Sequence, residues 1–135
     1  MTNQPLATSQ PYPLAPVHDA SATLVTTANG LDGFRVAQNL GIVRGIVVRS
    51  RSVFGNALAG LQMIFGGNIS IFTSLCEQTR QDAFRIMVDH ARALGANAVI
   101  GMRYDATEIA QGVTEVLAYG TAVRVEPDHG GAPHR

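Results

Sequence analysis

The chain has no lysine, one cysteine and few charges of either sign, and each shortage excludes something. All ten of its basic residues are arginine, balanced by ten acids to a net charge of zero. A neutral chain has no electrostatic footprint for nucleic acid or for an acidic membrane surface. The arginine bias reads as a preference of composition rather than as bidentate anion recognition. A single thiol, Cys76, makes no intrachain disulfide and no Cys-x-x-Cys metal or redox motif. The first 22 residues lack both a basic start and an apolar run, so no secretory signal is legible and a cytoplasmic protein is expected.

Charge is scarce at 15% while hydrophobic residues reach 46% of 135. A domain of this size has much surface for its volume, and so few charges spread poorly over a monomer. Burial of more surface between identical copies is the expectation. From Ser52 to Cys76 no charge occurs at all. The length would permit a membrane span, but Gly55, Asn56, Gly60, Gln62, Gly66, Gly67 and Asn68 would be costly in hydrocarbon. No membrane segment is expected.

In order, residues 1–22 hold Pro5, Pro11, Pro13 and Pro16 among small polar residues and read as a disordered Pro-rich arm. Leu24 to Thr27 is a short strand, followed by a turn signalled by Asn29-Gly30. Phe34 to Ser50 is a long strand, bulged at a glycine. Val36, Leu40, Ile42, Ile46 and Val48 lie on one face, and Val43 and Val47 share the other with Gly41 and Gly45. A short helix over about 54–65 and a Gly66-Gly67 turn lead into a long helix from about Phe72 to Leu94, closed by Gly95. Asn97 to Asp105 and Val113 to Glu126 form a hairpin. Val116, Ala118, Gly120 and Ala122 give the last strand a small apolar face opposite Val113, Leu117, Tyr119, Val123 and Val125. The stretch 127–135 reads as a disordered tail. The fold class is α+β, with an antiparallel sheet packed by a short and a long helix.

At 100° per residue, Phe72, Cys76, Thr79, Ala83, Ile86, His90 and Leu94 fall on one side of the long helix. Phe84, Val88 and Ala91 lie off that stripe. Val88 stands among the charges, where contact with another subunit is the expectation. Cys76 is expected as a packed core thiol and His90 as a hydrogen-bonded core or interface histidine. As metal ligands the two are weak candidates, because fourteen residues of helix separate them by roughly 21 Å, far beyond the reach of one ion. Gly66-Gly67 before a helix could cradle an anion, but no adjacent cation supports that, and a turn is favoured. Asn97 is placed to satisfy backbone groups exposed by the helix end. Arg80 is a candidate bridge to an acid of a neighbouring subunit, and Arg103 and Arg124 are expected to pair with acids across subunits. Asp105, Glu108 and Glu115 read as solvated carboxylates. No acid-base pair or activated nucleophile is legible, so an enzyme is not expected.

Thr26-Thr27, Leu40-Gly41-Ile-Val-x-Gly45, Gly66-Gly67, Arg80-x-x-Ala83, Ala91-Arg-Ala-Leu-Gly-Ala-Asn-Ala-Val-Ile-Gly101 and Gly120-Thr-Ala-Val123 together resemble the YbjQ-like family of small bacterial proteins. That family carries the label "putative heavy-metal-binding domain" and no established activity. The resemblance covers about Leu24 to Val125, giving a domain at 23–126. It implies a two-layer β-α-β-β subunit related to the dodecin-like folds and a homo-oligomeric ring, a pentamer or a decamer of two pentamers. It implies no catalytic residue and no established cofactor, a divalent or soft metal being the alternative to a scaffold or junction-binding role. The chain departs from the pattern at Gly55-Asn56, where an Arg-Asp pair is usual. It departs again at Asn68-Ile-Ser-Ile-Phe72, where a charged segment leading to Tyr is usual.

Overall fold

The computed structural model describes residues 22–50, 52, 55–56 and 70–130. Four strands and a helix follow in the order β1 (Leu24–Val25), β2 (Phe34–Ser50), α1 (Ser70–Ala93), β3 (Ala98–Ala110) and β4 (Val113–Pro127). They make an α+β subunit of two layers, α1 lying across one face of a sheet ordered β1-β3-β4-β2. Ser52, Gly55 and Asn56 have helical backbone. The rest of the expected short helix, the Gly66-Gly67 turn and residues 1–21 of the expected arm lie outside the described residues.

The sheet is mixed, which corrects the expectation of an antiparallel one. β4 runs antiparallel to both β2 and β3, but β1 joins β3 in parallel through Leu24↔Ala98 and Val25↔Val99. The cause lies in the connection from α1. The helix returns the chain to the sheet beside its own first strand, as a βαβ crossover does. Two regular residues make this strand, and the ladder then continues irregularly. Thr26 N–H donates to the Val99 carbonyl, Met102 N–H to that of Thr26 and Gly101 N–H to that of Ala28. Gly101 supplies the left-handed backbone this needs, at φ 62°.

β2 covers the stretch expected for it and carries two bulges, at Val36/Gln38 and Asn39/Gly41. At the second, Gly41 takes φ 99° and its N–H donates to the Asn39 side-chain oxygen at 3.0 Å. Each bulge adds one residue, so together they restore the alternation, and Val36 and Ile42 face the same way. Leu40, at the bulge, turns instead toward the core beneath α1. β4 ends at Pro127, and Asp128 N–H donates to the Gly33 carbonyl, so ordered pairing reaches into the stretch expected to be tail.

The core between the layers is built from small residues. Val43 and Val47 of β2, Ala118 and Ala122 of β4, and Ala83, Met87 and Ala91 of α1 are buried together. The buried stripe of α1 is therefore Thr79, Ala83, Met87 and Ala91, with Phe84 and Val88 half-buried beside it. Thr79 and Ala83 belong to the expected stripe. Cys76, Ile86, His90 and Leu94 do not belong, and all four are exposed. Hydrophobicity ranks Ile86 and Leu94 above Ala83 and Ala91, but the helix meets β2 backbone at Gly45, where alanine fits and a larger side chain at 83 does not. α1 ends with Ala96 N–H donating to the Ala91 carbonyl and Gly95 N–H to that of Arg92, around Gly95 at φ 85°.

A second, smaller cluster lies on the opposite face of the sheet. Ala98, Val123 and Val125 are buried there, with Leu24, Leu31 and Ile100 packed against them. Leu31, in the turn after β1, thus covers one end of that face.

Candidate functional site

Beyond Leu31 no described residue covers the face away from α1. Registers place Ile42 beside Thr121, Arg44 beside Tyr119, Ile46 beside Leu117 and Val48 beside Glu115. Alternation then sets Val36, Ile42, Arg44, Ile46 and Val48 of β2 in one row, next to Leu117 and Tyr119 of β4. Ile42 is 75% exposed, and Val36, Ile46 and Val48 are about half exposed. Apart from Arg44 the row is apolar, which makes it a candidate interaction surface. The opposite alternation (Val43, Gly45, Val47) is buried under α1, so the open face is the price of a strand apolar on both sides.

Both faces of Phe34–Ser50 read as apolar in the sequence, and among the described residues the face away from α1 is covered only at the Leu31 end. The open row was legible as the Val36–Val48 face of the strand, and its exposure was not.

The remaining candidates are distributed over the subunit rather than gathered. The Cys76 thiol is exposed, not packed in the core. His90 is exposed as well, and its Nδ1 accepts a long hydrogen bond from Arg44 N–H, 3.4 Å, at the outer edge of β2. Val88 is half-buried against the core, because α1 is rotated toward it relative to the expected stripe. The Arg80 guanidinium lies over the Tyr104 ring, 5.8 Å from its centroid. Gly66 and Gly67 fall outside the described residues.

Asn97 sits between α1 and β3. Its Nδ2 donates to the Val125 carbonyl at 2.9 Å and its Oδ1 accepts from Val125 N–H at 2.8 Å. The side chain thereby imitates a strand partner for β4, and Asn97 N–H donates to the Val123 carbonyl.

Two arginines serve backbone carbonyls of their own chain, and three others pair with its carboxylates. Arg103 donates to those of Thr27 and Met102, and Arg124 to that of Gly95. Arg49 bonds Asp82 at 3.0 Å and ties β2 to α1, while Arg85 approaches the other oxygen of Asp82. Arg35 pairs with Glu126 across β2 and β4.

Among the described residues no three His, Cys, Asp or Glu side chains group as a metal would require. With Cys76 and His90 fourteen residues apart on one helix, the described part of one subunit does not fit a soft-metal ion. No described helix is long and apolar enough to cross a membrane.

Comparison with known proteins follows the same boundaries. Residues 23–126 match the family model YbjQ_1, described as "Putative heavy-metal-binding". A UPF0145 protein of Solibacter usitatus is 73% identical over 103 residues, covering 76% of this chain and 92% of that one. One from Chromobacterium violaceum is 62% identical over 113 residues, covering 84% and 97%. A crystal structure of a protein of unknown function from Pediococcus pentosaceus, of the DUF74 family, superposes with a TM-score of 0.50 at 16% identity. It covers 77% of this chain and 98% of that one, a likeness of fold alone. Matched by that model across its described fold, and by relatives this similar over nearly their whole length, the chain belongs to the YbjQ-like (UPF0145) family.

Proposed function

We propose that this protein is a non-enzymatic, homo-oligomeric ring that serves as a scaffold or binds a ligand or partner at the junctions between its subunits. The observation that carries the proposal is the open row Val36, Ile42, Ile46 and Val48 on β2. Covering these half-exposed side chains stabilises an assembly by on the order of 1 kcal/mol each. Five subunits is the number that the YbjQ-like resemblance implies, singly or as a decamer. The test is sedimentation and native mass spectrometry of the full chain at micromolar concentration. A closed assembly of identical subunits is expected, and a stable, folded monomer overturns the proposal.

The family description supports a second reading, a soft- or heavy-metal binder. Because one described subunit offers no ligand set, such a site would draw donors from more than one copy or from residues outside 22–130. Metal analysis after exposure to zinc, copper or nickel tests it. Lack of stoichiometric uptake removes the reading, and uptake unchanged in Cys76→Ser shows that the thiol takes no part.

A further inference from the structure

The sequence holds a single Asn-Gly pair, Asn29-Gly30, in the turn between β1 and β2. Ala28, Asn29 and Gly30 are all exposed there. Among the described residues, neither the Asn29 carboxamide nor the Gly30 N–H has a hydrogen-bond partner. Nothing stands within 4 Å of the place a Gly30 Cβ would take. The other described asparagines differ. Asn39 lies in β2, and its Oδ1 accepts from Gly41 N–H at 3.0 Å. Asn97 is fixed to Val125 by two side-chain bonds, and its carbonyl accepts from Leu24 N–H. Asn56 has helical backbone and is followed by alanine.

We propose that Asn29 is a modification site, at which asparagine converts to aspartate and isoaspartate through a succinimide closed with Gly30. The Gly30 nitrogen attacks Asn29 Cγ and forms the N–Cγ bond. The Cγ–Nδ2 bond breaks, and Nδ2 leaves as ammonia with the proton that the Gly30 nitrogen gives up. Water then opens the ring. Attack at Cγ yields aspartate, and attack at the Asn29 main-chain carbonyl carbon yields isoaspartate, in which the chain runs through Cγ. Water is the only co-reactant.

Ring closure requires that Cγ reach the next backbone nitrogen and that this nitrogen be free of other bonds. Glycine meets the first condition, because it has no Cβ to crowd the approach and the backbone turns freely there. The exposed, unbonded turn meets the second. Asparagine is in any case among the thermally labile residues. Asp32-Gly33, three residues on, closes less readily. An ionised carboxylate resists attack, and the turn is pinned by Phe34 N–H on the Leu31 carbonyl and Asp128 N–H on the Gly33 carbonyl.

The change reaches the sheet through Leu31. Isoaspartate lengthens the main chain two residues before Leu31, which packs against Ala98, Val123 and Val125 on the face away from α1. The new carboxylate also forms two residues from the Thr27 carbonyl, to which Arg103 donates at 2.7 Å. Conversion therefore loosens the Leu31 cover of that face.

The test is incubation of the full chain in heavy-oxygen water, beside the same chain unfolded in urea, with peptide mapping by mass spectrometry. The folded chain is expected to take up heavy oxygen at Asn29 and release ammonia in equal amount, while Asn39 and Asn97 keep their amides. Gly30→Ala should retain the circular dichroism spectrum, since its Cβ meets nothing, and should slow the conversion about tenfold or more. Converted chains, separated by their added charge, should exchange the amides of Val123 and Val125 faster than unconverted ones. Asn29 still an amide in the folded chain once the unfolded chain has converted overturns the proposal. Equal conversion at Asn39 or Asn97, or an unchanged rate in Gly30→Ala, overturns it too. Unaltered exchange at Val123 and Val125 overturns the effect on Leu31.

Discussion

Gly45 of β2 lies directly beneath the Ala83 carbonyl of α1. A Cβ added to Gly45 would stand 1.9 Å from that oxygen and 2.6 Å from Met87 N. The helix therefore rests on bare strand backbone, and the two layers approach more closely than side chains would allow. Gly120 of β4 is similarly confined, its added Cβ falling 2.6 Å from a Val99 methyl. These contacts explain why the core is rich in alanine.

Gly45→Ala should destabilise the subunit by about 2–3 kcal/mol, because backbone rather than a flexible side chain must move. Denaturant unfolding measures it. Gly30→Ala is the control. Nothing lies within 4 Å of an added Cβ there, and a change within about 0.5 kcal/mol is expected.

Met87 is fully buried and is the largest side chain so enclosed. Met87→Ala should cost about 2–5 kcal/mol through lost burial and the cavity left behind. Ile86→Ala, one residue away but 44% exposed, should cost about 1 kcal/mol or less in the isolated subunit. Equal losses at the two positions would show that α1 is rotated from the orientation described.

Asn97→Ala removes both side-chain bonds to Val125. A loss of about 1–3 kcal/mol is expected, since the backbone groups are left without partners in a half-buried place. Amide exchange at Val125 should accelerate in the variant, and unchanged protection there would contradict the bond.

Ile42→Asp separates folding from assembly. The side chain is so exposed that the subunit should keep its circular dichroism spectrum. Sedimentation should nevertheless report smaller species, because the open face now carries a charge to be desolvated. Assembly as strong as in the unaltered protein would mean that the β2 row is not covered.

Much of the fold was legible because its signals are local. The alternation and glycines of Phe34–Ser50 marked a long bulged strand, Gly95 marked the end of α1, and Asn97 just after it was placed to serve backbone groups. The face of α1 was legible only in part. Apolar periodicity marked Thr79 and Ala83 but also Cys76, Ile86, His90 and Leu94, where the sheet accepted Met87 and Ala91. The sense of β1 was equally hidden, since a two-residue strand says nothing of which neighbour it joins.

What the chain determined alone is the order of the described strands and helix and an excess of apolar surface, because propensity, turn chemistry and composition act within a few residues of each other. Tertiary structure decided which of those surfaces were used up inside the subunit and which were left outside. Gly45 and Ala83 stand 38 positions apart, and only their contact fixes how closely the layers approach. That distance favours small residues where the helix meets β2 and leaves Ile86 on the surface.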